Sequence, residues 1–260
     1  MSIKLYKKFF AMHLKSQMQY KISFFLLMCG NIFIAATGII GIMFIFNRIN
    51  EVEGFTFQEV LLCSAVMLMS FSLAETFARG FDTFPRMMGN GEFDRALVRP
   101  RPIIFLVLSM QIDFSRLARV ATALAVFTYA IPASGVIWTW DRILTLMLMV
   151  VCGSILFFGL FLVYAAFTFF TVEGLEVMNI LTDGGREHGL YPFSIYGERV
   201  LKFLTFIVPL ALVQYYPFLY LIGRETNPIY MFTPVLSLWF MLPAYAFFRF
   251  GLSRYKSTGS

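Results

Sequence analysis

The chain has 260 residues, 59% hydrophobic and only 14% charged, with a mean hydropathy of +0.75 and a net charge of +6. Soluble domains lie nearer half apolar and a quarter charged. With 32 Phe, 15 Met and 12 Tyr against 15 acidic residues, there is too little polar surface to coat a soluble globule, which leaves a membrane-embedded chain.

Residues 1–21 lack a signal-peptide cleavage pattern, and the apolar run behind them is longer than a signal core. On a helix, Lys4, Lys7, Lys8 and Lys15 fall within an arc of roughly 100°, with Ile3, Leu5, Tyr6, Phe9, Phe10 and Leu14 on the other side. That pattern predicts a basic amphipathic helix lying in the membrane interface, lysines toward anionic head groups. A first span follows over 22–46, a polar loop over 47–58 and a second span over 59–78. The charged stretch 79–102 comes next. The apolar region from 103 is interrupted by Asp113, Arg116 and Arg119, so the third span is expected over 117–137, with 103–116 a helix near the cytoplasmic interface. A turn at 138–142 leads to a fourth span over 143–169. A polar segment, 171–199, is expected as a cytoplasmic loop. The fifth span is expected over 200–222, the sixth over 229–248. Each run approaches the roughly 20 residues a helix needs to cross a bilayer. None alternates with the period of a barrel strand, so the fold class is all-α integral membrane, one domain of six transmembrane helices.

Six spans put both termini on one side. Of the 21 Lys and Arg, only Arg48, Arg142 and Arg224 fall in the loops of one side. The positive-inside rule makes the other side cytoplasmic, and the net charge then reflects topology rather than affinity for nucleic acid. Cys29, Cys63 and Cys152 lie within apolar runs and read as packing residues, with no metal-ligand spacing.

No phosphate-binding loop, zinc-protease motif or nucleophile elbow occurs, and His13 and His188 stand apart without metal-site neighbours. The chain is therefore expected to be no enzyme and to hold no catalytic residue, cofactor or metal. Charges inside or beside spans are the default functional candidates. They are Glu75, with Arg79 one turn away, and Asp113, Arg116 and Arg119. The span centres otherwise look apolar, which leaves no visible internal energy source. Within 79–102, Gly91 to Pro100 read GEFDRALVRP: a turn, a short helix and a stop at the proline. Phe93 and Leu97 share one face and read as apolar knobs for a partner's groove. A solvated connector is the competing reading.

These residues resemble the permeases of the type-2 export branch of ATP-binding-cassette transporters, in the subfamily with a G-x-hydrophobic-D-x-x-L-x-R-P motif between spans two and three. Here the motif is Gly91, Phe93, Asp94, Leu97, Arg99 and Pro100. Tyr191, Pro192, Arg199, Pro209, Tyr216, Pro217 and Gly223 also fall where that subfamily has them. The resemblance implies that 79–102 contains a coupling helix seated on an ABC ATPase subunit, with ATP and Mg held there. It implies a second permease chain, a heterodimer ahead of a homodimer, in the bacterial inner membrane. Two other classes stay open: a stand-alone secondary carrier, and a non-transporting anchor or immunity subunit. The substrate is left open, since apolar walls suit a lipid, a hydrophobic peptide or a drug.

Overall fold

The computed structural model describes residues 3–171 and 176–255. The chain opens with α1 (Ile3–Gln19) and, after a kink at Tyr20, α2 (Lys21–Phe46). Strands β1 (Glu51–Val52) and β2 (Phe55–Thr56) pair antiparallel across a two-residue turn, within what the sequence presents as a plain polar loop. That turn needs positive φ at Glu53 and Gly54, 48° and 75°, the geometry of a tight hairpin. Thr56 then caps α3 (Phe57–Asp82) with a capping box: its Oγ1 accepts from the Glu59 N–H, and the Glu59 carboxylate accepts from the Thr56 N–H.

Beyond α3, Pro85 opens α4 (Phe84–Gly89), and Gly91 precedes α5 (Glu92–Leu97). Gly91 has φ +65°, a left-handed value that favours glycine. Helix α6 (Ile103–Met110) starts after Pro102, and a 3-10 turn (Phe114–Arg116) leads into α7 (Leu117–Ala133). The delayed third span is thus as expected. Helix α8 (Trp140–Phe167) is the longest. Two short helices, α9 (Glu176–Asn179) and α10 (Asp183–His188), precede α11 (Glu198–Phe206) and α12 (Ala211–Leu221). The last span is α13 (Ile229–Ser237), a 3-10 turn, and α14 (Met241–Arg254).

Five helical stretches are long and apolar enough to cross a membrane among the described residues, and the pair α11–α12 makes up to six. That pair corrects the fifth span: it is not one helix over 200–222 but two, bent by 112°. Pro209 sits in the break. A proline there removes one helical hydrogen bond and its ring collides with the carbonyl of Thr205, so the helix stops and restarts.

Helix α3 is the axis of the bundle, buried along most of its length, with α7 and α8 packed on it. Backbones come close where side chains vanish: Gly80 lies against the Val107 carbonyl of α6, and Gly153 of α8 against Ser70. By contrast α2 is buried at only Asn31, Ala35 and Ile42. One end of the bundle carries the hairpin and the turn before α8, the other the 79–102 loop.

The segment 171–199 departs from its expected place. From Thr182 onward it is not a loop but climbs the bundle alongside α3, antiparallel to it. Asp183 lies within electrostatic range of Asp82 and Arg119. The Arg186 guanidinium sits 4.9 Å over the Phe71 ring, and Gly189 meets the Met67 side chain. Leu190 packs on Gly38 of α2. The irregular stretch above it is held by Gln214 of α12, which is wholly buried. Its Oε1 accepts from the Phe193 N–H (3.3 Å), and its Nε2 donates to the carbonyls of Tyr191 (2.7 Å) and Gly189 (3.2 Å). Non-helical backbone survives at this depth only where protein satisfies its polar groups, and one glutamine supplies three of those bonds.

Candidate functional site

The residues singled out from the sequence fall into two groups near the loop end of the bundle. In the 79–102 loop, Phe93 is not an exposed knob. It is 0% exposed, with its ring centroid 4.9 Å from that of Phe84, 5.2 Å from Tyr255 and 5.7 Å from Phe169. Leu97 is partly buried against the same core. The reason is elementary: a fully apolar ring at the water-facing end of the bundle gains more from a ready aromatic pocket than from waiting in water. Asp94 accepts a hydrogen bond from the Tyr255 hydroxyl (2.8 Å). Burial and that carboxylate push the Tyr255 phenol up to about 12, so it remains a neutral donor at any physiological pH. What faces outward is Glu92, Arg95, Val98, Arg99 and Pro100. Gly91 provides the turn that aims them.

Helix α1 packs by a stripe, Tyr6, Phe10, His13 and Gln17, onto α6 and the turn before α7. Phe10 meets Phe114 edge-on at 4.7 Å. His13 Nε2 lies 2.9 Å from the Ser109 carbonyl, and Gln17 donates to the Ile112 carbonyl (2.6 Å). Lys7, Lys8 and Lys15 stay exposed. The side chain of Lys4, and Lys256 in the tail, lie outside the described residues.

The second group is a buried charge cluster, and it unites all four charges picked out near the spans. Glu75 of α3 receives Arg116 (2.9 Å), Arg119 (2.9 Å) and Arg79 (3.3 Å). Arg79 also pairs with Asp82, and Arg116 with Asp113 (3.3 Å). Three arginines thus meet three carboxylates. Asn31 of α2 joins them: its carbonyl oxygen accepts from Arg116 (3.3 Å) while its amide donates to the Ser115 carbonyl and hydroxyl. The cluster ties α2, α3 and α7 just above the 79–102 loop. The Arg79–Glu75 pair, one turn apart, is the longest of the three contacts to Glu75.

Asn31, Arg186 and Gln214 escaped the sequence reading. A single amide inside an otherwise apolar run is the available signal for Asn31 and Gln214, because such a group in a span seeks a helix-to-helix hydrogen bond. Nothing in the sequence around Arg186 separates it from a loop arginine. Among the described residues, no three His, Cys, Asp or Glu come together as a metal would require.

With up to six apolar stretches among the described residues, a buried charge cluster at one end and a folded loop beneath it, the chain has the parts of a membrane permease. A family model described as "ABC-2 family transporter protein" matches residues 32–259. The chain belongs to that family. It is a multi-pass ABC-2 membrane protein, the transmembrane subunit of an ABC transporter. ABC-2 membrane subunits are generally non-enzymatic and usually work with ABC ATPases, which carry the hydrolysis. The match spans the 79–102 loop, the charged residues of the cluster and Gln214, while α1 and Asn31 lie before it. No curated protein and no solved structure matches this ABC-2 chain.

Proposed function

We propose that the chain is the permease of an ATP-driven exporter in a bacterial plasma membrane, with both termini and the 79–102 loop cytoplasmic. A separate ABC ATPase, holding ATP and Mg, seats on that loop. Two permease chains, non-identical ahead of identical, enclose the solute. One observation carries the coupling assignment: Val98 stands 84% exposed among Arg95, Arg99 and Arg101, at the end of a short helix anchored underneath by Phe93. A rigid, inward-pinned helix with an apolar crest rimmed by guanidinium groups suits an acidic, apolar-floored groove. The docking surface is therefore this crest and not the Phe93–Leu97 face. Export is the direction of many members of the branch that the motif resembles. Lys7, Lys8 and Lys15 of α1, all exposed, suit anionic head groups at the same membrane surface.

The test is capture of the ABC ATPase encoded by a neighbouring reading frame, co-expressed with the tagged permease. Val98→Asp with Arg95→Glu should lower capture by about tenfold or more, the loss of one interface hot spot, with unchanged membrane yield. Undiminished capture and transport by that variant would refute the docking surface. Two differently tagged copies of this chain that co-purify without any second permease would replace the heterodimer by a homodimer.

A further inference from the structure

Asn31 and the Ser115 turn hold α2 against the start of α7 near the loop end of the bundle. Toward the hairpin end the two helices leave a cleft of about 720 Å³ between them, backed by the first turns of α3. Small-molecule pockets run to roughly 300–1,000 Å³. The walls within the membrane are Ile39 and Met43 of α2, Leu61 of α3 and Val126 of α7. The rim is Asn47, Asn50 and Gln58, at the two feet of the β1–β2 hairpin, together with Tyr129 of α7. From Ile39 to Asn47 the chain climbs eight residues. That is about 12 Å at helical rise, against about 15 Å for one leaflet of hydrocarbon.

Two properties of this lining point to one kind of occupant. The walls are apolar at membrane depth, where a hydrocarbon chain is favoured over water. The rim holds three amide side chains and a phenol, and none of the four side chains makes a hydrogen bond within the chain among the described residues. Each amide offers two donors and an acceptor oxygen. No charged side chain lines the cleft. The guanidinium of Arg224, nearby on the same end, is already engaged, 3.0 Å from the Glu59 carboxylate and 4.0 Å over the Phe55 ring. Arg48, next to Asn47, is exposed and lies outside the lining. A bare hydrocarbon chain would leave the rim to water, and a phosphate head would meet no cation. Neutral donors and acceptors above an apolar slot match a hydroxyl-bearing head on a single chain.

We propose that this cleft binds one membrane amphiphile, its chain lying between α2 and α7 and its uncharged, hydroxylated head hydrogen-bonded to Asn47, Asn50 and Gln58. The site goes beyond the permease reading and stands whether or not the chain couples to an ATPase.

The experiment is photolabelling of the full chain in vesicles of phosphatidylethanolamine and phosphatidylglycerol. The probes are a monoacylglycerol with a diazirine at the end of its chain and the lysophosphatidic acid of the same chain, and labelled positions are read by mass spectrometry. The expected label falls on 39–43 and 122–126, and excess unlabelled monoacylglycerol removes it. The monoacylglycerol should label about fivefold or more above the phosphate probe, the worth of one neutral hydrogen bond. Asn47→Leu with Gln58→Leu should erase that preference. Ala125→Trp, at an exposed position of the lining, should remove the label by filling the cleft. In the unmodified chain, label that the competitor cannot displace would overturn the site and leave ordinary solvating lipid. Equal labelling by the two probes would overturn the neutral head. Label at Leu242 of α14, 75% exposed, with none in the cleft would also overturn the site, and would make the cleft a surface covered by a second permease chain.

Discussion

Truncating Phe93 to alanine discriminates between two roles for the 79–102 loop. The ring is fully buried and edge-packed against Phe84 and Tyr255 and beside Phe169, with Phe248 completing the cluster. It lies at the water-facing end of the bundle, where the hydrophobic effect acts as in a soluble core. Emptying such a site costs about 3–5 kcal/mol, transfer and cavity terms together. Two of the edge contacts would each add about 0.5–1.5 kcal/mol if they were not already counted in that range. Taking the low end, 3 kcal/mol corresponds to a drop of roughly 6–12 °C in midpoint for a chain of this size. The assay is thermal denaturation of the detergent-solubilised permease, read by size-exclusion fluorescence, alongside ATPase capture. Phe93→Ala should lose thermal stability first and capture only in proportion to the folded fraction. Unchanged thermal stability with abolished capture would show the ring to be an exposed docking knob and refute the inward packing.

Three further outcomes follow from the same geometry. Glu75→Ala leaves Arg116 and Arg119 without their shared carboxylate, and breaking a buried charge pair costs about 3–5 kcal/mol; yield of folded protein should collapse, and normal yield with a native melting profile would contradict the cluster. Gln214→Leu removes three bonds to the 189–193 backbone, each worth about 1 kcal/mol or more when its partner stays buried; cysteine cross-linking between positions 38 and 190 should weaken, and unaltered cross-linking would count against that anchor. Thr56→Ala removes the capping box of α3 at a cost of about 1 kcal/mol, so the melting midpoint should fall by only a few degrees with transport intact.

The spans themselves were legible because hydrocarbon demands about 20 consecutive apolar residues, and little else writes such a run. Even the late start of α7 was readable, since Asp113, Arg116 and Arg119 forbid an earlier one. The crossing at 183–193 was not. Its Asp-Gly-Gly and its three consecutive polar residues, Arg186 to His188, are those of a surface loop, and only the surrounding protein lets them sit at membrane depth. The bend at Pro209 was visible as a proline but not as a break, because prolines within spans are often tolerated, as Pro132 is in α7. The charge cluster joins Glu75 to Arg119 across 44 positions, a separation that no helical spacing rule reaches. The burial of Phe93 in the chain's own core was not legible, because amphipathicity identifies an apolar face without saying whether it meets that core or a partner's.

Asn31 also sets a timetable. It lies 84 positions before the Ser115 that receives its amide. At roughly 5–20 residues per second, a ribosome needs about 4–17 s to supply that partner. During those seconds the Asn31 amide has only the Leu27 carbonyl of its own helix (3.0 Å) to donate to. Helix α2 can wait, because its remaining surface is apolar almost all round and asks nothing of its neighbours. The arrival of the Ser115–Arg116 turn then fixes its rotation. A faster-inserting α7, or a slower ribosome between the two, would change how long the nascent chain offers that amide to other membrane proteins.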